Sequence, residues 1–388
     1  MRLLQICPKP PRPIVDGGCI AMDAMTFGLR SQGHYVKVLA MATEKHPHIE
    51  GVNFGDYQCV KISTALNPIT ALLNLLSNKS YNVNRFNHDS VANTITETLD
   101  TEEFDAVILE SIYACSYVDL IRKHSTAQII LRAHNIEHKI WHDLTRKYIN
   151  PIKSWYFKRL ARQLESFEIS VALLVDGVVA ITEDDSRWFE KIGASRVHIH
   201  PFSMEFLEPK PQKTFDHVFH LGSMDWLPNI EGVKWMLGEV WPLVRAELSE
   251  ARIVIAGRNM PPQFRSDQKM GVEVLGEVQS ATDFLDRPGI ATVPVLSGSG
   301  MRIKAVEAMA SGLPIVGTEL GLCSLGLEHN KNAMIANTSK EFARSILDLL
   351  SDPNKASRIA QNGFTHASKN FDTKLVFSDL IAFIKNFG

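Results

Sequence analysis

Cysteine is scarce in this chain and never patterned: Cys7, Cys19, Cys59, Cys115 and Cys323 lie far apart, with no C-x-x-C pair among them. That excludes a disulfide framework and a cysteine zinc site, and reads the thiols as reduced packing residues of a cytoplasmic protein. Net charge of one sign is also lacking, since 41 Lys and Arg stand against 43 Asp and Glu. No overall field then draws the chain to nucleic acid, and any anion has to be met by a local arrangement. Long hydrophobic runs are absent: the longest, VALLVDGVVAI, is broken by Asp176 and too short to span a bilayer. The opening MRLLQI meets Pro8 before it builds the apolar core of a signal peptide. The first glycine turn lacks G-x-G-x-x-G spacing, which argues against a nicotinamide dinucleotide. Low-complexity segments and short repeats are missing as well.

What is present is enough apolar sequence for two cores: 388 residues, 45% hydrophobic and 22% charged. Short β-branched runs recur with room for a helix between them, as LLQI, YVKVLAM, FDAVILE, AQIILRAH, DGVVAIT and VHIHPF. The pattern stops at the polar, proline-bearing EFLEPKPQKTFD and resumes with HVFHLG, ARIVIAG, VEVLGEV, IATVPVL, LPIVGT and NAMIAN. Buried parallel strands alternating with helices imply an α/β protein of two doubly wound, Rossmann-like domains. The expected bounds are 1–204, a linker 205–216, and 217–370. GVKWMLGEVWPLVRAEL reads as one amphipathic helix, and TKLVFSDLIAFIKNF as a final helix with no strand after it.

Ligands of such sheets bind at the C-terminal strand edges, and the chemistry-bearing residues collect there. Gly17 and Gly18 open a helix after the first strand, able to bring backbone N–H groups close to an anion or a sugar, or simply to make a tight turn. RAHNIEHKIW puts Arg132, His134, Asn135 and Glu137 where a strand runs out, with Asn135 and Glu137 near enough in sequence to orient His134. His134 and His138 have the spacing of a helical metal pair, but no third ligand pattern accompanies them. In GSGMRIKAVEAMA two cations enter the first turn of a helix, where the dipole favours anions instead. Lys304 and Glu307 at i,i+3 allow a surface ion pair worth about 0.2–0.5 kcal/mol, which leaves Arg302 and the glycines unexplained. A bound diphosphate explains all of them: Gly298, Ser299, Gly300 and Met301 offer backbone amides, and Arg302 and Lys304 neutralise the charge. The loop LGSMDWLPN, Gly222 to Asn229, after the second domain's first strand, with Gly222 and Ser223 at its start, and Arg258 after VIAG would complete that site, and Gly276 and Val278 of VLGEV would offer backbone groups to a base.

On these motifs, above all GSGMRIKAVEAMASGLPIVGTELG and NKNAMIANTSKEFARSILDLLSDP, the chain resembles the retaining GT-B glycosyltransferases of family 4 over nearly its whole length. The resemblance implies a nucleotide-diphosphate sugar donor held by the second domain and a glycan or lipid-linked acceptor held by the first, across a cleft. The last helix, 371–388, would cross back onto the first domain. His134 would sit beside the transferred sugar, Gly17 and Gly18 would approach donor phosphates or acceptor, and Glu307 would hold the ribose hydroxyls. Arg302 and Lys304 would compensate the departing diphosphate in place of a metal, so no cofactor is expected. Where members often carry a glutamate eight positions before Glu307 this chain has Ser299, and where many place an arginine and a lysine after the second domain's first strand it has Ser223 and Asn229. We read a variant donor site with its cations moved onto the helix.

Two other functions compete. A sugar-nucleotide epimerase would need a carboxylate pair, for which Glu137 and Glu183 are the available residues; a degenerate GT-B module would bind a nucleotide sugar without turnover. Separately, NPIKSWYFKRLARQLESFE gathers Lys153, Lys158, Arg159 and Arg162 among Trp155, Tyr156 and Phe157. That composition suits peripheral contact with the inner, anionic face of a membrane, or a helix turning its aromatics into the first domain.

Overall fold

The computed structural model describes residues 1–49, 55–65, 74, 80–146, 151–207, 214–298 and 302–386. The chain divides into two compact units: Met1–Ser203 together with the segment from Val376 onward, and Met204–Leu375.

Seven parallel strands carry the first unit: β1 Arg2–Cys7, β2 Tyr35–Ala42, β3 Tyr57–Lys61, β4 Ala106–Glu110, β5 Gln128–Ala133, β6 Gly177–Ala180 and β7 Val197–Ile199, in the order β3-β2-β1-β4-β5-β6-β7. Every apolar run read as a strand forms one. The addition is β3, an edge strand whose YQCVK is half-exposed and has no apolar run to announce it. Side chains alternate across the pleat. Leu4, Ile6, Val107, Leu109, Ile129 and Leu131 enter one core, while Leu3, Ala106, Ile108 and Ile130 enter the other. The second face is covered by Met22, Met25 and Leu29 of helix Gly17–Ser31 and by Phe377, Leu380, Ile381 and Ile384 of helix Thr373–Lys385. The last four residues follow the i, i+3, i+4, i+7 stripe of a helix facing a core, so the terminal helix belongs to the first unit. Gly28 makes room for it. A Cβ there would lie 2.0 Å from Cζ of Phe377, and the helix accepts an internal glycine so that the ring can seat.

Six parallel strands carry the second unit: β8 Val218–Leu221, β9 Ile253–Ala256, β10 Val272–Gly276, β11 Ile290–Val293, β12 Ile315–Gly317 and β13 Met334–Ile335, in the order β10-β9-β8-β11-β12-β13. Val218, Ile253, Ile255, Ile290 and Val316 pack against Val233, Met236, Trp241 and Val244 from the helical segment after β8. That segment departs from a single helix. It runs as Leu227–Trp235, a π turn Met236–Val240, and Trp241–Glu247. Pro242 lies just past the π turn, and a proline supplies no N–H and crowds the carbonyl one turn back, so the helix widens before it. Helix Ser339–Ser351 starts with a reciprocal box in which Thr338 and Glu341 satisfy each other's backbone N–H groups.

In each sheet the strand order reverses direction beside the unit's first strand, so crevices open outside the C-terminal ends of β1 and β4 and of β8 and β11.

Candidate active site

A cavity of about 550 Å³ opens at the second of these crevices, and four loops line it. After β8 come Gly222, Ser223, Trp226 and Asn229; after β9, Gly257 and Arg258; after β10, Glu277, Val278 and Ala281. Arg302, Ile303, Lys304 and Glu307 of the helix Ile303–Ala310 close the fourth side. Its floor needs glycine. Gly257 has φ +153 and its Cα lies so close to the carbonyl of Gly222 that a Cβ would come within 1.8 Å of that oxygen.

The helix begins at its cap, Arg302, and carries no acidic residue in its first turn. Arg302 is 4% exposed; its guanidinium lies 4.7 Å over the Trp226 ring and donates to the Gly298 carbonyl at 3.1 Å. Stacking on an indole holds a guanidinium flat against the ring face. Lys304 turns its ammonium onto the Asn229 side-chain carbonyl at 2.6 Å, a neutral partner in place of the expected Glu307. Burial, and then the neighbouring Arg302 charge, push the Lys304 pKa down from 10.5 to about 7. Burial alone pushes Glu307 up.

His220, 1% exposed at the strand end below, has Nδ1 facing the Thr292 carbonyl at 3.1 Å, and burial and Lys304 drive its pKa well below the ordinary range. The ring is therefore neutral beside the lysine. Arg258 differs from the helix cations: it is exposed, pairs with Asp225 at 3.2 Å and donates to Ser223 Oγ at 3.1 Å. Its charge is already answered. Ser223 thus braces Arg258, and Gly222 and Val278 line the cavity, while Gly276 ends β10 at φ +70 and is not among the lining residues. Ser299, Gly300 and Met301 lie outside the described residues.

The first unit has its own polar cluster at the ends of β1, β4 and β5. Glu110, fully buried, accepts from Gln5 Nε2 at 2.8 Å, Arg132 Nη1 at 3.0 Å and His134 Nε2 at 2.6 Å. Burial opposes its ionisation, but Arg132 and His134 outweigh that and bring its pKa below the usual carboxylate value. The expected orienters of His134 do something else. Glu137 accepts from the Tyr113 hydroxyl at 3.0 Å, and burial raises its pKa, with Asn135 hydrogen-bonded to it. His138 goes to its own buried carboxylate, Glu168, at 2.6 Å, so the two histidines of the i, i+4 pair serve separate partners. Asp16 caps the helix that Gly17 opens, accepting from the Cys19 N–H at 3.0 Å and from Lys9 at 2.6 Å, and Gly18 leaves space for the Lys9 ammonium.

Residues 216–352 match the family described as glycosyl transferases group 1. The match covers most of the second unit. A Klebsiella pneumoniae relative, an uncharacterized 44.6 kDa protein in the cps region, is 26% identical over 301 residues, which span 72% of this chain and 74% of that one. The fold as a whole is similar to that of sucrose-phosphate synthase from Thermosynechococcus elongatus, at 12% identity, 100% and 99% coverage of the two chains and a TM-score of 0.68. It is similar also to Anabaena Alr3699/HepE in complex with UDP and glucose, at 13% identity, 98% and 99% coverage and a TM-score of 0.61. A TarM variant from S. aureus, in complex with fondaparinux, alpha-GlcNAc-glycerol and UDP, is 13% identical with 99% and 100% coverage and a TM-score of 0.63. Likeness at this identity establishes the GT-B fold. The cavity, the helix Ile303–Ala310 and the loop after β8 all fall inside the matched residues. Sequence reading placed Trp226 in the site's loop without its stacking role, and missed His220 and Glu110; of these two only Glu110 had a signal, a carboxylate ending the apolar run DAVIL.

Proposed function

We propose that this protein is a retaining glycosyltransferase that moves a sugar from a nucleotide-diphosphate sugar to a glycan or lipid-linked acceptor, in cell-surface polysaccharide or glycoconjugate synthesis. One observation carries the reading. Lys304 and Arg302 stand at the N-terminus of a helix that opens into a cavity, and Lys304 meets a neutral amide where a carboxylate would satisfy it. Such a lysine is costly unless an anion completes it, and a diphosphate at a helix N-terminus is that anion. The complexes of Anabaena Alr3699/HepE with UDP and glucose, and the cps-region location of the Klebsiella relative, support donor and pathway class.

On this reading Glu307 takes the ribose hydroxyls, Val278 and Ala281 border the base, and Arg302 and Lys304 stabilise the departing diphosphate. They supply the charge that a divalent ion supplies elsewhere, so transfer proceeds without metal. An epimerase finds little to work with: Glu183 is exposed and paired to Arg187 at 2.6 Å, and Glu137 is held by Tyr113. The test is a thermal-shift panel of UDP-, GDP-, ADP- and dTDP-sugars, then a transfer assay with the sugar that binds, run in EDTA. Stabilisation by one base class and activity retained in chelator are expected; activity lost and restored by magnesium or manganese would refute the metal-free mechanism.

Peripheral membrane contact belongs to the same proposal. On helix Pro151–Leu174, Trp155 is 61% exposed, and Lys158 and Arg162 share its face at i+3 and i+7. Phe157 turns instead onto Trp141, with ring centroids 5.9 Å apart. Among the described residues no helix is long and apolar enough to cross a membrane. Flotation with phosphatidylglycerol vesicles, absent with phosphatidylcholine and lost in Trp155→Ala, is the expected result; equal recovery with both lipids would remove the electrostatic contact.

A further inference from the structure

The first unit holds a buried carboxylate that transfer chemistry has not yet used. Glu110 ends β4 with no exposure, and its neighbours come from both flanking strands: Gln5 of β1 on Oε1, and Arg132 and His134 of the β5 edge on Oε2. Nothing about the sheet requires a charge at this depth. A fully buried carboxylate survives only with hydrogen bonds and a counter-charge, and this one has an arginine that is itself 4% exposed. Arg132 is in turn tied to the Ala21 carbonyl at 3.0 Å, on the helix that Gly17 opens. The cluster is therefore rigid before His134 joins it.

His134 is the member at the edge, with a side chain 12% exposed, and the atom it commits inward is Nε2. An ionised carboxylate only accepts, so the hydrogen of the neutral imidazole must sit on Nε2, and Nδ1 is left with its lone pair. We infer that Glu110 is a positioning residue, which fixes His134 as the Nε2–H tautomer so that Nδ1 accepts a hydrogen bond from a substrate hydroxyl. The same division of labour lets a buried aspartate hold a histidine in the tautomer that a hydrolase needs. It also predicts what the ring recognises: a hydroxyl of the sugar or acceptor that donates, and not a carbonyl or phosphate oxygen, which would meet a lone pair with a lone pair. The identity of that hydroxyl as part of a sugar substrate rests on the proposed transferase reading; the tautomer does not.

Two arms separate these. In the free protein labelled with ¹⁵N-histidine, with His134 assigned by its loss in His134→Ala, long-range correlations should show Nε2 protonated and Nδ1 bare in the neutral ring. Glu110→Ala, which removes the acceptor, should release that preference and populate the Nδ1–H tautomer as well; Gln is not used, because Arg132 donates to the same oxygen as His134 and would keep an amide oxygen there. A wild-type ring protonated on Nδ1, or a tautomer ratio unchanged in Glu110→Ala, overturns the inference. In the second arm, transfer is measured in a cycle of Glu110→Ala, His134→Ala and the double variant. Glu110→Ala should cost at least about 10-fold in kcat and almost nothing further once His134 is gone. Equal loss in both backgrounds would mean that Glu110 acts only through the fold. Because Glu110→Ala leaves Arg132 uncompensated, Glu110→Asp keeps the charge and withdraws the oxygen from His134, and it should show the same non-additivity. If His134→Ala itself leaves transfer intact, the transferase role of His134 fails while the tautomer result stands by itself.

Discussion

Lys304→Met is expected to weaken donor binding and cut transfer sharply while making the unliganded protein more stable. Both effects come from one fact, that burial holds the ammonium at a pKa of about 7. The unfolded chain keeps its lysine protonated up to roughly 10.4. Between about 7 and that value the unfolded state binds the extra proton, so this group's contribution to stability rises with pH across the window and is poorest below about 7. Methionine fills a similar volume without charge. Its gain in melting temperature should be full at pH 6 and shrink toward pH 10. The cost appears on binding: a residue that stabilises charge in the transition state typically supplies about 2.7–4 kcal/mol, so transfer should drop by two orders of magnitude or more. Wild-type affinity for the donor should fall as pH rises above about 7, since the diphosphate requires the protonated lysine and must restore the proton that the free site has lost. Lys304→Met should lose that slope. Calorimetric titration and thermal unfolding at three pH values decide the matter. Undiminished affinity in the variant, or a melting temperature that fails to rise at pH 6, would show that the lysine is a surface charge of no account. Arg302→Ala should weaken turnover comparably but keep the pH slope of donor affinity, moved to higher pH, because Lys304 remains and loses the neighbouring charge that helps to hold its pKa down.

The regular parts of this protein were legible because their signal is repeated. Runs such as VILE and GVVA are buried on both faces, as a covered parallel strand requires. The edge strand β3 escaped notice because an edge needs only one partner and tolerates polar residues. The helix start GSGMRIKAVE was legible for a different reason: two cations at the positive end of a dipole are a local contradiction, and contradictions between local and global preference tend to mark function. What sequence could not supply was partnership across the sheet. Glu110 and His134 stand on neighbouring strands 24 residues apart, and their hydrogen bond exists only once β4 and β5 pair in register, Glu110 beside Arg132. The nearest residues in sequence, Asn135 and Glu137, were the natural candidates to orient the ring, and the helix that begins at Glu137 carries that carboxylate to Tyr113 instead. The stacking role of Trp226 is hidden for the same reason, since its partner Arg302 comes from another loop altogether.

His134→Ala and Glu307→Ala are expected to fail in opposite ways. Glu307 lines the cavity of the second unit, on the same helix as the two cations, and burial raises its pKa. A carboxylate in that position is placed to accept from vicinal hydroxyls, and each such charged hydrogen bond is worth about 1.5–3 kcal/mol. Its loss should weaken nucleotide binding by roughly 10- to 100-fold at the least, and turnover mainly through that route. His134 stands on the first unit, at the end of β5, with no part in the cavity lining. If it meets the substrate at the reacting end, its removal should leave the affinity for free nucleoside diphosphate nearly unchanged and cut transfer by orders of magnitude, since contacts made where bonds change act on the rate while remote ones act on binding. The comparison to make is the dissociation constant for the nucleoside diphosphate against kcat, for both variants at one pH below 7 so that Lys304 stays protonated. A split in the two directions supports a donor site confined to the second unit. Parallel losses of nucleotide affinity would instead require His134 to contact the nucleotide itself, and the division of roles between the two units would have to be redrawn.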